Sequence, residues 1–162
     1  MNIQTGEESV SRSRSTNFSL VRVKRDVLRK SSIGVLATNR SKAQALPGSN
    51  QVYGVDGTFG FFSNLTFATF IATTKSEGVT SDDMSYRAQM EYGGDRYGLQ
   101  LEQLNVGRNF NPGIGFVRRT NIAKSLGLVR FSPRPRASKV VRKYWFTGSA
   151  SYVENGAGRL DT

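Results

Sequence analysis

The 162-residue sequence contains neither cysteine nor histidine, and both absences restrict its chemistry. Without cysteine the chain can form no disulfide and no thiolate metal site. Without histidine it lacks the usual general base and the commonest metal ligand. Catalytic triads that join serine or cysteine to histidine are therefore excluded. The remaining candidates for chemistry are carboxylates and a large number of cationic side chains.

The sequence also lacks a convincing transmembrane helix. Residues 57–74 carry no charge, but their threonine and glycine content, with Ser63 and Asn64 in the middle, favours two strands instead. A membrane-spanning β-strand needs only ~9–11 alternating residues, so its signal is much weaker than that of a helix. The first 17 residues are polar and contain no apolar segment of the kind found in secretory signals.

Positive charge is abundant, since 23 lysine and arginine residues against 12 acidic residues give a formal net charge of +11. An excess of this size favours anionic partners such as nucleic acid, lipid phosphates or anionic glycans. Solvated loops and arginines that line a polar lumen would give the same charge.

Residues 84–106, MSYRAQMEYGGDRYGLQLEQLNV, alternate in polarity on both sides of two glycines. We predict a β-hairpin with its turn at Gly93 and Gly94, which places Tyr86 opposite Leu101. One predicted face is apolar and would face lipid in a membrane; its residues are Tyr86, Ala88, Met90, Tyr97, Leu99 and Leu101. The other face is polar and would face a lumen; its residues are Arg87, Gln89, Glu91, Arg96, Gln100 and Glu102. Such a hairpin suits either a membrane barrel wall or a soluble sandwich.

Similar alternation recurs along the rest of the chain, and turn residues separate the alternating segments. We predict an all-β fold, an antiparallel up-and-down meander of about eight strands that forms a (partial) outer-membrane-type β-barrel. The expected organisation is a flexible N-terminal segment at residues 1–15 and a barrel segment at residues 16–162. Within the latter, residues 139–153 are predicted to form one long strand.

A second hairpin is predicted from residues 51–62 and 65–74. A three-residue loop would place Phe61 opposite Leu65 and put Asn64 in the left-handed region of backbone conformation.

Four carboxylates are candidates for glycosidase-like acid–base chemistry: Asp56, Glu91, Asp95 and Glu102. The favoured interpretation is that these groups are surface or lumen charges paired with arginine. We therefore predict that the chain is not an enzyme and that it binds no cofactor and no metal.

A basic segment at residues 130–143 lies close to Tyr144 and Trp145. Mixed basic and aromatic residues are typical of nucleic-acid binders, but these two rings would point to opposite faces of a strand. A phosphate-rich lipid surface is therefore favoured over nucleic acid. The candidate anion-binding residues are Arg134, Arg136, Arg142 and Lys143.

Aromatic residues cluster near the ends of the predicted strands. Phe61 and Phe62 lie by one turn, Tyr92 and Tyr97 flank another, and Tyr152 precedes a third. Aromatic girdles at the two interfaces of an outer-membrane barrel have this distribution.

The sequence resembles the C-terminal region of a large bacterial family of unknown function. The resemblance covers nearly all of residues 1–162. The segments that carry it are residues 16–41, 50–59, 85–119, 131–136 and 154–160, and its most specific part is FNP followed by GFVRR within residues 110–119. Members of that family resemble outer-membrane β-barrels preceded by a domain similar to family-9 carbohydrate-binding modules. The resemblance implies that this chain is a fragment of the barrel and supplies no catalytic residues.

Two functional hypotheses follow. The first is a non-catalytic segment of a bacterial outer-membrane β-barrel, structural or transport-related. Its partners would be outer-membrane lipid, lipopolysaccharide included, and the remainder of the barrel or other copies. The alternative is a soluble all-β module that binds an anionic glycan or nucleic acid through its basic strip.

Overall fold

The computed structural model describes residues 1–5, 16–41, 48–135 and 140–161 of the chain. In this part the fold is all-β, with nine antiparallel strands in one sheet. They are β1 (Asn2–Thr5), β2 (Thr16–Asp26), β3 (Ser31–Arg40), β4 (Asn50–Phe61), β5 (Leu65–Ser76), β6 (Met84–Gly93), β7 (Tyr97–Val106), β8 (Ile122–Phe131) and β9 (Phe146–Asn155). Every strand pairs with the next strand in sequence, so the predicted antiparallel meander is confirmed.

The sheet is not closed, because β1 and β9 form its two edges, and this is consistent with a partial barrel. Among the described residues neither a helix nor a second sheet covers either face. The buried hydrophobic residues of the described chain are only Val52, Val106 and Phe110. This small core lies where the connection between β7 and β8 folds back onto one end of the sheet.

The two ends of the sheet differ in the length of their connections. At one end, here called the turn end, residues 27–30, 62–64 and 94–96 form connections of three or four residues, and residues 132–145 form a longer connection between β8 and β9. At the other, here called the loop end, β5 and β6 are joined by residues 77–83 and β7 and β8 by residues 107–121. Three of the four connections at the turn end are therefore short, and each end of the sheet has one connection of 14 or 15 residues.

The hairpin of β6 and β7 is formed, but its predicted turn is wrong. Tyr86 lies opposite Asn105, four residues beyond its predicted partner, and the chain reverses at residues 94–96. Gly93 stays in β6 because its N–H donates a hydrogen bond to the carbonyl of Asn64, at 2.7 Å. Since the register differs by an even number of residues, the strand residues keep their predicted faces.

The hairpin of β4 and β5 has the predicted register, with Phe61 opposite Leu65. The residue with a left-handed backbone is Phe62, at a φ of 55°, and not Asn64 as predicted. The carbonyl of Asn64 instead accepts the hydrogen bond from β6, so this turn is tied to the next hairpin.

The two ends of the described chain also differ from expectation. Residues 2–5, predicted to be irregular, form β1 and pair with β2, while residues 6–15 lie outside the described residues. The strand predicted at residues 139–153 begins only at Phe146, opposite the last residue of β8, Phe131. Because β8 ends there, the residues before Phe146 have no strand to pair with. Those that the structure describes, residues 140–145, are irregular.

Candidate functional site

One side of the sheet, here called the apolar face, is hydrophobic and solvent-exposed. The six predicted apolar hairpin residues share it. Of these, the exposed ones are Tyr86, Ala88, Tyr97 and Leu101, and the half-buried ones are Met90 and Leu99. Other exposed hydrophobic residues of this face are Val21, Val23, Val35, Tyr53, Val55, Phe61, Ile71, Val129, Phe146 and Tyr152. The apolar face therefore extends from β2 to β9.

Aromatic rings follow the turn end of the apolar face. The ring of Phe131 stacks on Tyr97 at a centroid distance of 5.4 Å and on Phe146 at 6.4 Å. Tyr144 stacks on Phe146 at 6.2 Å, and Phe61 meets Phe67 edge to face at 5.8 Å. This row, here called the aromatic belt, consists of Phe61, Phe67, Tyr92, Tyr97, Phe131, Tyr144 and Phe146.

Arg96 departs from its predicted place on the polar face. It lies in the turn between β6 and β7, and its guanidinium is 5.7 Å from the ring centroid of Tyr97 and 5.5 Å from that of Phe131. A cation over two rings of the aromatic belt gains a favourable electrostatic contact. The turn geometry, rather than strand alternation, decides where this side chain points.

The opposite side, here called the polar face, carries an ion-pair network between β6, β7 and β8. Arg87 Nε donates a hydrogen bond to Glu102 Oε2 at 3.0 Å, and Lys124 Nζ lies 3.4 Å from Glu102 Oε1. The Glu102 side chain is only 9% exposed. Gln89 accepts a hydrogen bond from Arg87, whereas Gln100 is half-buried and Glu91 is exposed. Arg87, Gln89, Glu102 and Lys124 therefore form a connected polar network around a largely buried carboxylate.

A second ion pair lies on the polar face between β2 and β4. Arg22 Nη2 and Asp56 Oδ1 are 2.7 Å apart. Gly34 of the intervening strand makes room for this pair, because a Cβ at that position would be 2.7 Å from Asp56 Oδ1. The missing side chain lets the two charges meet across β3.

The carboxylates considered for catalysis are distributed along the sheet. Asp56 pairs with Arg22, and Glu102 pairs with Arg87 and Lys124. Within the part of the chain that the structure describes, no group of three or more acidic, histidine or cysteine side chains could hold a metal ion.

The predicted basic strip is partly neutralised at the turn end. Arg134 Nη2 lies 2.7 Å from Asp95 Oδ1, and Lys143 Nζ lies 3.3 Å from the same oxygen. These two hydrogen bonds, that of Arg134 first, lower the pKa of Asp95 below its ordinary value. Arg142 is exposed, and Arg136 lies outside the described residues. The structure therefore brings only part of the predicted anion-binding set together.

The connection of residues 107–121, here called the inserted loop, packs onto the polar face at the loop end. Phe110 is 7% exposed. Asn50, 2% exposed, donates to the carbonyl of Asn111 at 2.8 Å and accepts from the N–H of Gly113 at 2.7 Å. Arg40 also donates to the carbonyl of Gly113, at 3.3 Å. Two long-range anchors on β3 and β4 thus hold the inserted loop against the sheet.

A cavity of about 560 Å³ lies between the inserted loop and the polar face. Leu36, Val52 and Ala72 line it from the sheet, and Pro112 and Ile114 line it from the loop. The ion pair of Arg22 and Asp56 borders the same space. The cavity is therefore largely apolar with charged groups on one side, the composition typical of small-molecule sites.

Comparison of the chain with protein-family models, curated proteins and solved structures gave no significant match. The family resemblance described from the sequence therefore stays a prediction. In the described residues, no helix has the length and hydrophobicity needed to cross a membrane.

Sequence reasoning missed three features of this site. Alternation along β8 and β2 places Lys124 and Arg22 on the polar face, but it does not identify the carboxylates on other strands with which they pair. Asn50 could not have been found in this way, because its role depends on a loop more than 60 residues away.

Proposed function

We propose that the chain forms part of the wall of a transmembrane β-barrel in a bacterial outer membrane, with a structural or transport-related, non-catalytic role. The observation that carries this proposal is the inverted distribution of polarity. The exposed side of the sheet is hydrophobic from β2 to β9, while ion pairs occupy the less exposed side. Outer-membrane barrels have this arrangement, with lipid outside and a polar interior.

The aromatic belt supports the same proposal. Amphipathic rings favour the interface between hydrocarbon and headgroups, and Arg96 above the rings of Tyr97 and Phe131 could reach lipid phosphate. Under the proposal, lipid would contact Tyr86, Ala88, Met90, Tyr97, Leu99 and Leu101. The lumen would receive Arg87, Gln89, Glu91, Gln100 and Glu102.

Connection lengths suggest an orientation for the barrel wall. Bacterial outer-membrane barrels combine short periplasmic turns with longer external loops. Three of the four connections at the turn end are short, so we propose that the turn end faces the periplasm and that the loop end, with the inserted loop, faces outward. The inserted loop would then narrow the external mouth, as loops do in barrels whose interior is partly plugged.

The soluble binding module is the less favoured alternative. Asp95 already pairs with Arg134 and Lys143, which reduces the charge that the basic strip offers to an anionic partner. In addition, none of the described residues covers the apolar face, as a soluble sandwich would require.

Far-UV circular dichroism of the chain with and without detergent micelles or lipid vesicles tests the proposal. We expect the β-sheet signal to develop only with detergent or lipid, because water would leave the apolar face unprotected. A cooperative β-fold in plain buffer that does not enter vesicles would contradict the membrane proposal. The basic strip would then be the first site to test with anionic polymers.

A further inference from the structure

The cavity beneath the inserted loop contains a buried hydroxyl group without a partner. Thr38 lines the cavity and is 6% exposed. Within the described part of the chain, its Oγ1 makes no hydrogen bond. Leaving a buried polar group without a partner is energetically unfavourable, so such groups are rare in native proteins.

A second unpartnered donor lies two residues further along the same strand. Arg40 Nε is buried and has no acceptor among the described residues, although another nitrogen of this guanidinium donates to Gly113. Residues i and i+2 of a strand point to the same face, so Thr38 and Arg40 both lie on the polar face of β3. Arg40 is not among the residues that line the cavity, so Thr38 is the donor at the cavity wall, and the guanidinium of Arg40 adds positive charge on the same face of β3.

The rest of the cavity wall is apolar and would suit the apolar part of a ligand. Leu36, Val52 and Ala72 form one side, and Pro112 and Ile114 form the other. Asp56, the acidic residue that borders the cavity, is already paired with Arg22 at 2.7 Å. An anionic head near Thr38 would therefore not face an unpaired carboxylate from this group.

We propose that this cavity binds a small amphipathic carboxylate, with its apolar body between the inserted loop and the sheet. Its carboxylate would accept a hydrogen bond from the hydroxyl of Thr38, and the positive charge of Arg40 favours an anionic head at this end. The inference names a solute class for the lumen of the proposed barrel and in that respect rests on the proposed function.

Octanoate binding to the chain in lipid nanodiscs, measured by isothermal titration calorimetry with empty discs subtracted, tests the inference. We expect saturable binding at one site. Butyrate, with four methylenes fewer, should bind roughly 200-fold more weakly, because each buried methylene contributes about 0.8 kcal/mol.

The variant Thr38→Val removes the hydroxyl while keeping the side-chain shape. We expect it to weaken octanoate binding about tenfold, the effect of losing one hydrogen bond to a charged acceptor. The matched control is Thr66→Val, because Thr66 lies on the polar face of β5, is exposed and does not line the cavity. Ala72→Leu fills the cavity with the hydroxyl intact and should also weaken binding.

Two results would overturn the site: no binding above that of empty discs, or equal affinities for the Thr38→Val variant and the unaltered chain. Failure of the chain to enter the discs counts against the membrane proposal alone. In that case, octanoate is titrated into the chain and the same variants in buffer. The site is supported if the unaltered chain and Thr66→Val bind octanoate more tightly than Thr38→Val and Ala72→Leu.

Discussion

The apolar and polar faces of the sheet differ in solvent exposure, and two adjacent residues of β7 show this difference most directly. Leu101 is 45% exposed on the apolar face, whereas the side chain of Glu102, the next residue, is 9% exposed on the polar face. Water-soluble domains favour the reverse, since glutamate is almost never fully buried unless paired. Burial at these two positions therefore follows the face on which the residue lies rather than its hydrophobicity. The less exposed face tolerates charge because its ion pairs satisfy one another.

The largest effect is expected when a positive charge is introduced on the apolar face and compared with the same charge on the polar face. In lipid, Leu101→Arg should lower the free energy of unfolding by about 2–4 kcal/mol if the residue lies near the bilayer midplane. Gln100→Arg, one residue earlier on the polar face and opposite Glu91, should have almost no effect. Urea unfolding in vesicles, followed by the fluorescence of Trp145, measures both variants. Equal effects would contradict the assignment of the faces.

The loop end gives the next largest expected effect. Asn50→Ala should lower the free energy of unfolding by about 1–3 kcal/mol, because it leaves the buried carbonyl of Asn111 and the N–H of Gly113 without their partner. Released from the sheet, the inserted loop should also be cut faster by trypsin at Arg118. Asn39→Ala, at an exposed position of β3, is the control and should leave both measurements unchanged.

A smaller effect is expected within the ion-pair network. Glu102→Gln should cost about 1 kcal/mol of stability, because Arg87 and Lys124 are about one-third exposed and water replaces part of the lost attraction. Glu91→Gln is the matched control on the neighbouring strand and should be neutral. A neutral Glu102→Gln variant would show that the network contributes nothing to stability.

The smallest effect concerns pH at the turn end. Arg134 and then Lys143 lower the pKa of Asp95, so the folded state favours the ionised carboxylate. The resulting stabilisation is fully present above the ordinary aspartate pKa of about 3.9 and is lost as the pH falls through the lower, folded-state value. Unfolding midpoints measured below about pH 5 should reveal this loss. The Asp95→Asn variant should lack that part of the pH dependence.

The sequence predicted the antiparallel meander and the faces of the hairpin strands because both depend on local alternation. The pairing of β6 with β7 differs from the prediction by four residues. An even shift leaves each strand residue on its predicted face. The exact turn could not be predicted in the same way. Two adjacent glycines suit a tight turn, but the bond between Gly93 and Asn64 keeps the first of them in the sheet. That bond joins two hairpins and cannot be recognised from either hairpin alone.

Alternation along the chain thus determined which side chains share a face, because successive residues of a strand must point in opposite directions. Only the tertiary structure decided which face is exposed, since exposure depends on which distant segments pack against each face. It also decided where the inserted loop lies. Asn50, Thr38 and Phe110 meet there through contacts between distant segments, and the cavity exists only once those segments pack together.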